Sequence, residues 1–68
     1  MKGRITAVIR ARGFGFLLDE ENRSRFFHAN EVRGALFDDL REGLHVEFDP
    51  VEIPERGLRA VQVRVLNP

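Results

Sequence analysis

The chain has 68 residues, with eleven basic and eleven acidic side chains and a formal net charge of zero. It contains no cysteine, which excludes disulfides, thiolate zinc sites and cysteine nucleophiles and is typical of a reducing compartment. A chain of this length is enough for one compact domain, which we expect over residues 1–68, and we expect it in the cytoplasm. No apolar run approaches the roughly 20 residues of a membrane span, so we expect no membrane partner.

Five β-strands are predicted from short runs that are rich in β-branched and aromatic residues or that alternate between apolar and polar. They cover residues 3–9, 13–18, 25–28, 44–49 and 58–66. A polar turn is expected over residues 19–24, with its acidic run as a solvated hairpin tip, and a loop bracketed by Pro50 and Pro54 should run to Gly57.

The stretch between the third and fourth predicted strands, residues 30–42, is ambiguous. Val32, Leu36 and Leu40 recur every four residues, which is a helical spacing. Gly34 weakens a helix there by roughly 1 kcal/mol relative to alanine, and Gly43 is placed to end it. We predict a long connection with one or two helical turns. Five short strands with such a connection indicate an all-β fold, a small closed barrel such as the OB-fold.

The charge distribution is uneven despite the neutral total. Residues 1–33 carry seven basic and four acidic side chains, whereas residues 34–68 carry four basic and seven acidic ones. Random scatter over a solvated surface and a basic face for a polyanion both explain this pattern. Ten of the eleven basic residues are arginine, a residue that stacks on bases and pairs with phosphates.

The strongest functional motif is the run from Arg12 to Phe16, which has the order basic, glycine, aromatic, small, aromatic. Phe14 and Phe16 lie on one face of a strand about 7 Å apart, a spacing on which bases can stack. The glycines should leave room for a nucleotide, and Arg12 should meet phosphate. Two core phenylalanines are the alternative, but Gly15 and Leu17 occupy the opposite face, so we favour binding.

A second motif, residues 25–28, supports this interpretation. Phe26 and His28 share a face of the third strand, while Phe27 points the other way and is the better core candidate. A histidine alone is more often a structural residue. Next to Phe26 and the neighbouring phenylalanine strand, His28 becomes a candidate for base stacking and hydrogen bonding.

Together the two motifs resemble the paired ribonucleoprotein motifs of bacterial cold-shock domains, at the same mutual spacing, and the likeness covers nearly the whole chain. The resemblance implies a five-stranded antiparallel OB-fold barrel that binds single-stranded RNA or DNA. It implies base contacts from Phe14, Phe16, Phe26, His28 and the loop residue Phe37, with Arg12 and Arg56 near the nucleic-acid backbone.

The chain also departs from the cold-shock pattern. Ala7-Val8 stands where the family has Trp-Phe, Ala29 replaces an aromatic residue, Ser24 an acidic one and Arg25 an inward apolar one. Each lost base stack is worth about 1–3 kcal/mol, so we expect weaker and more salt-dependent binding than is typical. The residues expected to compensate in part, by stacking on bases or pairing with phosphates, are Arg4, Arg10 and Arg25.

No feature of the sequence predicts catalysis. His28 and His45 are the only histidines, Ser24 has no evident base partner, and no spacing of carboxylates suggests a metal cage. We expect no enzyme activity, cofactor, metal or small-molecule substrate.

Two functions remain after this exclusion. The first is sequence-tolerant binding of single strands across the first three strands, which would keep RNA unpaired. The second is a protein-interaction or dimerisation module on the same barrel, suggested by the missing tryptophan, the neutral charge and an apolar patch of phenylalanines. A monomer is expected under the first reading and a dimer is the alternative.

Overall fold

The computed structural model describes residues 1–66; residues 67 and 68, which the single-domain prediction includes, lie outside the described range. The strands are β1 Lys2–Ile9, β2 Phe14–Asp19, β3 Ser24–His28, β4 Val32–Arg33, β5 His45–Ile53 and β6 Gly57–Val65. Three 3₁₀ turns cover Arg10–Arg12, Ala29–Glu31 and Phe37–Asp39. Within residues 1–66 no helix is long and apolar enough to cross a membrane.

The strands form one sheet that closes on itself. Their order is β3-β2-β1-β5-β6-β4, and an additional pairing between β3 and β6 joins the ends through Phe26 and Arg59. Pairing is antiparallel except where β6 meets β3 and β4. Five long strands therefore form the closed barrel that the sequence predicted, and the two-residue β4 is an addition to it.

The barrel interior is filled by residues that alternate along the long strands. Leu17 of β2 and Phe27 of β3 are fully buried, as the alternation predicted, and so are Val46 and Phe48 of β5. Leu44, which precedes β5 directly, is only half buried. Among residues 1–66 the buried apolar side chains are Ile5, Leu17, Phe27, Leu40, Val46, Phe48, Ala60 and Val63.

Two β-bulges change which residues face inward. The β1–β2 register shifts between Ile5 and Ala7, so that Ile5 and Val8, three positions apart, both pack on the core. The β5–β6 register shifts as well, and Gln62 takes a left-handed φ of 50° there. An extra residue in one strand reverses the alternation beyond it. Ala60 and Val63 are therefore both buried.

The connection between β3 and β5 contains short 3₁₀ turns rather than a helix. One turn, Ala29–Glu31, precedes β4, and the other, Phe37–Asp39, follows it. Gly34 separates them with φ at 75°, a conformation that a right-handed helix does not contain. The prediction of one or two helical turns is confirmed in this form.

The predicted loop from Pro50 to Gly57 is wrong, because β5 continues to Ile53. Pro50 lies opposite Ala60 of β6, in a part of β5 that extends beyond the pairing with β1. Proline lacks an N–H group and is tolerated in a strand where one side has no partner. The turn between β5 and β6 is therefore only residues 54–56.

The prediction that Asp19 belongs to a solvated hairpin tip is also wrong. The side chains of Asp19 and Arg25 are 0% and 4% exposed, and the Arg25 Nε lies 2.8 Å from the Asp19 Oδ2. Arg25 also donates to the carbonyl oxygen of Arg59 at 3.0 Å. Arg25 does point inward, as the family's apolar residue does, but its charge is neutralised there. It cannot offer its guanidinium to bases.

Candidate nucleic-acid interface

Three phenylalanine rings form a cluster on the outer face of β2 and β3. Phe16 lies opposite Phe26, and Phe14 lies opposite His28. All three rings are partly buried, whereas Gly15, Leu17 and Phe27 on the other face are fully buried. The placement of Phe14, Phe16 and Phe26 on the water-facing wall of the barrel therefore agrees with the sequence prediction. We call these three residues the aromatic cluster.

The rings of the aromatic cluster are packed against one another and do not lie flat side by side. Phe14 and Phe26 are stacked, with centroids 5.3 Å apart and planes inclined by 29°. Phe16 meets both rings edge-on, at 5.9 Å and angles of 89° and 77°. Edge-to-face and offset-stacked pairs are the favoured aromatic geometries. The cluster is thus held in place before any ligand arrives.

The strand register extends this cluster into a row across four strands. Ala7 of β1 lies opposite Phe16, and Arg59 of β6 lies beside Phe26. The row is therefore Ala7, Phe16, Phe26 and Arg59. Ala7 is the position at which a tryptophan is expected from the cold-shock pattern, so the missing ring leaves one end of the row without an aromatic side chain.

Arg59 was not predicted as a site residue. Its guanidinium carbon lies 4.6 Å from the centroid of the Phe26 ring, within the range of a cation–π interaction. Alternation from the buried Ala60 would have placed Arg59 on the outer face. No local signal, however, shows that β6 closes against β3, and this closure brings Arg59 to the aromatic cluster.

His28 is exposed and its ring is oriented by the chain that follows it. The Nδ1 atom accepts a hydrogen bond from the backbone N–H of Asn30 at 3.1 Å. In the neutral imidazole one nitrogen accepts and the other carries the proton, so the proton is on Nε2. His28 therefore offers a hydrogen-bond donor next to the aromatic cluster.

The two glycines of the first motif have structural roles. A Cβ added to Gly15 would lie 2.6 Å from the Phe27 ring and 2.7 Å from the carbonyl oxygen of Ala7. Gly15 faces inward and makes room for Phe27, so the prediction that it leaves space for a nucleotide is wrong. Gly13 ends the first 3₁₀ turn with φ at 73°, which other residues rarely adopt.

The remaining predicted site residues lie in the turns and in the connection between β3 and β5. Arg12 and Arg56 are exposed, in the first 3₁₀ turn and in the β5–β6 turn. Arg10 donates through Nε to the carbonyl oxygen of Asp38 at 3.2 Å and through a second nitrogen to that of Leu40. Phe37 is half buried, and its ring packs edge-on against Phe27 at 6.2 Å. Arg10 thus ties the first 3₁₀ turn to the long connection, and Phe37 packs against the core next to Phe27.

The strands β1, β2 and β3 contribute cations and no carboxylate to their outer face, and Glu20 in the β2–β3 turn accepts a hydrogen bond from the Lys2 backbone at the end of β1. Asp19 is the only carboxylate within these three strands, and it is buried and paired with Arg25. Its pKa falls to about 2, because burial, which raises it, is outweighed by hydrogen bonds from the Arg23 backbone, the Arg25 side chain and the Glu21 backbone. Within residues 1–66 no cluster of three or more His, Asp or Glu side chains could hold a metal ion.

Comparison with known proteins agrees with this geometry. A model of the 'Cold-shock' DNA-binding domain matches residues 1–66. The chain is 38% identical to the major cold shock protein CspA of Pseudomonas aeruginosa over 56 residues, which cover 82% of this chain and 80% of that protein. It is 35% identical to the cold shock-like protein CspC of Bacillus cereus over 63 residues, which cover 93% of this chain and 95% of that protein.

A cold shock-like protein of Thermotoga maritima is 28% identical over 67 residues, covering 98% of this chain and 100% of that protein. The family match and the coverage of these relatives span the barrel and the aromatic cluster together. The chain therefore belongs to the cold-shock DNA-binding domain family, whose members are nucleic-acid-binding proteins and not enzymes.

Proposed function

We propose that this chain binds single-stranded RNA or DNA with low sequence specificity and acts on RNA as a chaperone. The observation that carries the proposal is the aromatic cluster, three partly exposed rings on an outer face to which β1, β2 and β3 contribute no carboxylate. Rings offer stacking surfaces to unpaired bases, and strands that present no carboxylate beside these rings do not repel phosphates there.

Base stacking supplies most of the affinity in this proposal. The near-parallel rings of Phe14 and Phe26 are the surfaces for bases, and Phe16 supports both from the side. Stacking is worth about 1–3 kcal/mol per base and accepts every base, because each has a π face. Low sequence specificity follows from this tolerance. His28 adds a hydrogen bond from Nε2 to a base beside Phe14.

Two exposed arginines bind the nucleic-acid backbone in this proposal. Arg12 precedes Phe14 in the chain, and both Arg12 and Arg56 are exposed. Among residues 1–66 neither has a carboxylate within ion-pairing distance. Arg10 holds the loop that carries Phe37 by hydrogen bonds to the carbonyl oxygens of Asp38 and Leu40, and in this proposal it keeps that loop in place for a base contact by Phe37.

Chaperone activity requires no energy source. A protein that binds only the unpaired form of an RNA shifts the equilibrium toward that form by mass action. Weak and sequence-tolerant binding suits this task, because the RNA must also be released and refold.

The experiment is a titration of end-labelled oligonucleotides followed by fluorescence anisotropy, since the chain has no tryptophan or tyrosine to report binding. A pyrimidine-rich single strand is compared with its duplex at about 50 and 200 mM salt. We expect binding to the single strand only, and it should weaken at the higher salt. Lack of measurable affinity at the lower salt would contradict the proposal.

Variants locate the binding face. Phe14→Ala and Phe26→Ala should each weaken binding by roughly 5- to 150-fold, the equivalent of one lost stack. Leu36→Ala is the matched control, because Leu36 is 70% exposed and lies in the connection after β4. Urea unfolding checks that each variant is folded. A stable dimer by light scattering, with no change of mass when oligonucleotide is added, would support the protein-interaction alternative.

A further inference from the structure

We propose that Arg59 is a specificity-determining residue that favours guanine at the position that stacks on Phe26. This inference rests on the proposed binding of single strands. It assigns one position of base preference within a strand that is otherwise bound without regard to sequence.

Arg59 occupies the place of a base in the unliganded protein. Its guanidinium carbon is 4.6 Å from the Phe26 ring centroid, close to the distance at which planar groups stack. A base that stacks on this part of Phe26 displaces the guanidinium toward the edge of the ring. The guanidinium then faces the edge of the incoming base.

The Arg59 guanidinium also has hydrogen-bonding capacity that the described residues do not use. Its Nε is buried and has no hydrogen-bond partner within residues 1–66. Four other arginines are ion-paired, and Arg59 is not among them in this part of the chain. A buried donor without a partner is unfavourable. When an incoming base displaces the guanidinium, this Nε leaves its buried position, and an acceptor on the ligand can then pair with it.

The backbone beneath Arg59 is fixed, which limits where its side chain can go. The Arg59 carbonyl oxygen accepts a hydrogen bond from Arg25 at 3.0 Å, and Arg25 is held in turn by Asp19. Arg59 also pairs in register with Phe26 across the β3–β6 closure. The donors are therefore presented to the Phe26 position in a limited set of orientations, as a selective contact requires.

The donors around Phe26 match guanine better than other bases. Guanine presents two neighbouring acceptors, O6 and N7, to which the planar fork of arginine binds bidentately. Adenine presents N7 next to an amino group, which is itself a donor. The neighbouring polar group, Nε2 of His28, is also a donor. Uracil and thymine offer a single acceptor on the corresponding edge and rank between the two purines.

The test uses labelled oligothymidines of equal length in which one central base is thymine, guanine or adenine. We expect the wild-type chain to bind the guanine-containing strand on the order of tenfold more tightly than the adenine-containing one. Arg59→Gln removes the charge and the fork, and Arg59→Lys keeps the charge but removes the fork. Both variants should lose the guanine preference. Arg56→Gln, the control for an exposed arginine, should weaken all strands alike and keep the preference.

The results distinguish the role of Arg59 in base preference from single-strand binding itself. Equal affinity of the wild type for all three strands overturns the role of Arg59 and leaves single-strand binding intact. If Arg59→Gln loses affinity equally for all three strands, and the dependence of log affinity on log salt is shallower by about 0.7 per contact, Arg59 contacts phosphate. That result also overturns its role in base preference. Failure of the wild type to bind any strand defeats the proposed function itself.

Discussion

The Asp19→Asn substitution removes one negative charge from the barrel interior while keeping the size and shape of the side chain. Its Oδ1 accepts hydrogen bonds from the backbone N–H groups of Glu21 and Arg23 at 2.8 and 3.0 Å. The asparagine oxygen can keep these two bonds. It cannot keep the ion pair with Arg25, because asparagine carries no charge. The Arg25 side chain is 4% exposed, and its Nε lies 2.8 Å from the Asp19 Oδ2.

The expected loss is large for a chain of this size. Removing one partner of a buried ion pair costs about 3–5 kcal/mol, because the other charge stays buried and unpaired. At about 0.05–0.15 kcal/mol per residue, the total stability of such a domain is roughly 3–10 kcal/mol. We therefore expect Asp19→Asn to lose about 3 kcal/mol or more, and to be partly unfolded at 25 °C if the wild-type stability lies at the low end.

The assay is urea unfolding followed by far-ultraviolet circular dichroism. Glu21→Gln is the matched control, since the Glu21 pair with Arg23 is exposed and such pairs contribute about 0–1 kcal/mol. The double variant Asp19→Asn/Arg25→Met removes both charges and should recover most of the loss, because no unpaired charge then stays buried. A loss in Asp19→Asn no greater than that in Glu21→Gln would refute this reasoning.

Two further predictions concern stability. The pKa of Asp19 is about 2 in the folded chain against 3.8 ordinarily, since burial, which raises it, is outweighed by hydrogen bonds from the Arg23 backbone and the Arg25 side chain. The stability that this lowered pKa contributes is complete above pH 3.8 and is lost as the pH falls toward 2, so the melting temperature of the wild type should drop in that window. The Asp19→Asn variant should lack the part of this drop that Asp19 causes. Gly15→Ala places a methyl group 2.6 Å from the Phe27 ring, and the overpacking should cost about 1–3 kcal/mol in urea unfolding, with single-strand affinity following the folded fraction.

The sequence predicted the face of each residue where the strands are regular. A period of two puts Phe14 and Phe16 against Gly15 and Leu17, and this local rule needs no knowledge of the partner strand. The structure agrees with it throughout β2. The rule fails in β6, because the bulge at Gln62 reverses the alternation. No residue type in this part of the sequence indicates that the strand contains an extra residue.

Contacts between distant strands could not be predicted from the alternation within a single strand. Arg59 reaches the aromatic cluster only because β6 closes against β3, a pairing that joins residues 33 positions apart. The pairing of Asp19 and Arg25 is closer in sequence, but each charge taken alone is expected at the surface. Only the β2–β3 register, which sets Arg25 opposite Leu17, brings the two to neighbouring inner positions and lets them neutralise each other.

The missing ring at Ala7 gives a gain-of-function test of the whole interface. Ala7 lies opposite Phe16 at the end of the row, and its side chain is partly exposed. Ala7→Trp adds one stacking surface there, so single-strand affinity should rise roughly 5- to 150-fold. The new tryptophan is the only one in the chain, so quenching of its emission reports base contact directly. Ala35→Trp, at an exposed loop position, is the control and should show neither tighter binding nor quenching. A folded Ala7→Trp variant with unchanged affinity and unquenched emission would mean that bases do not stack on this face.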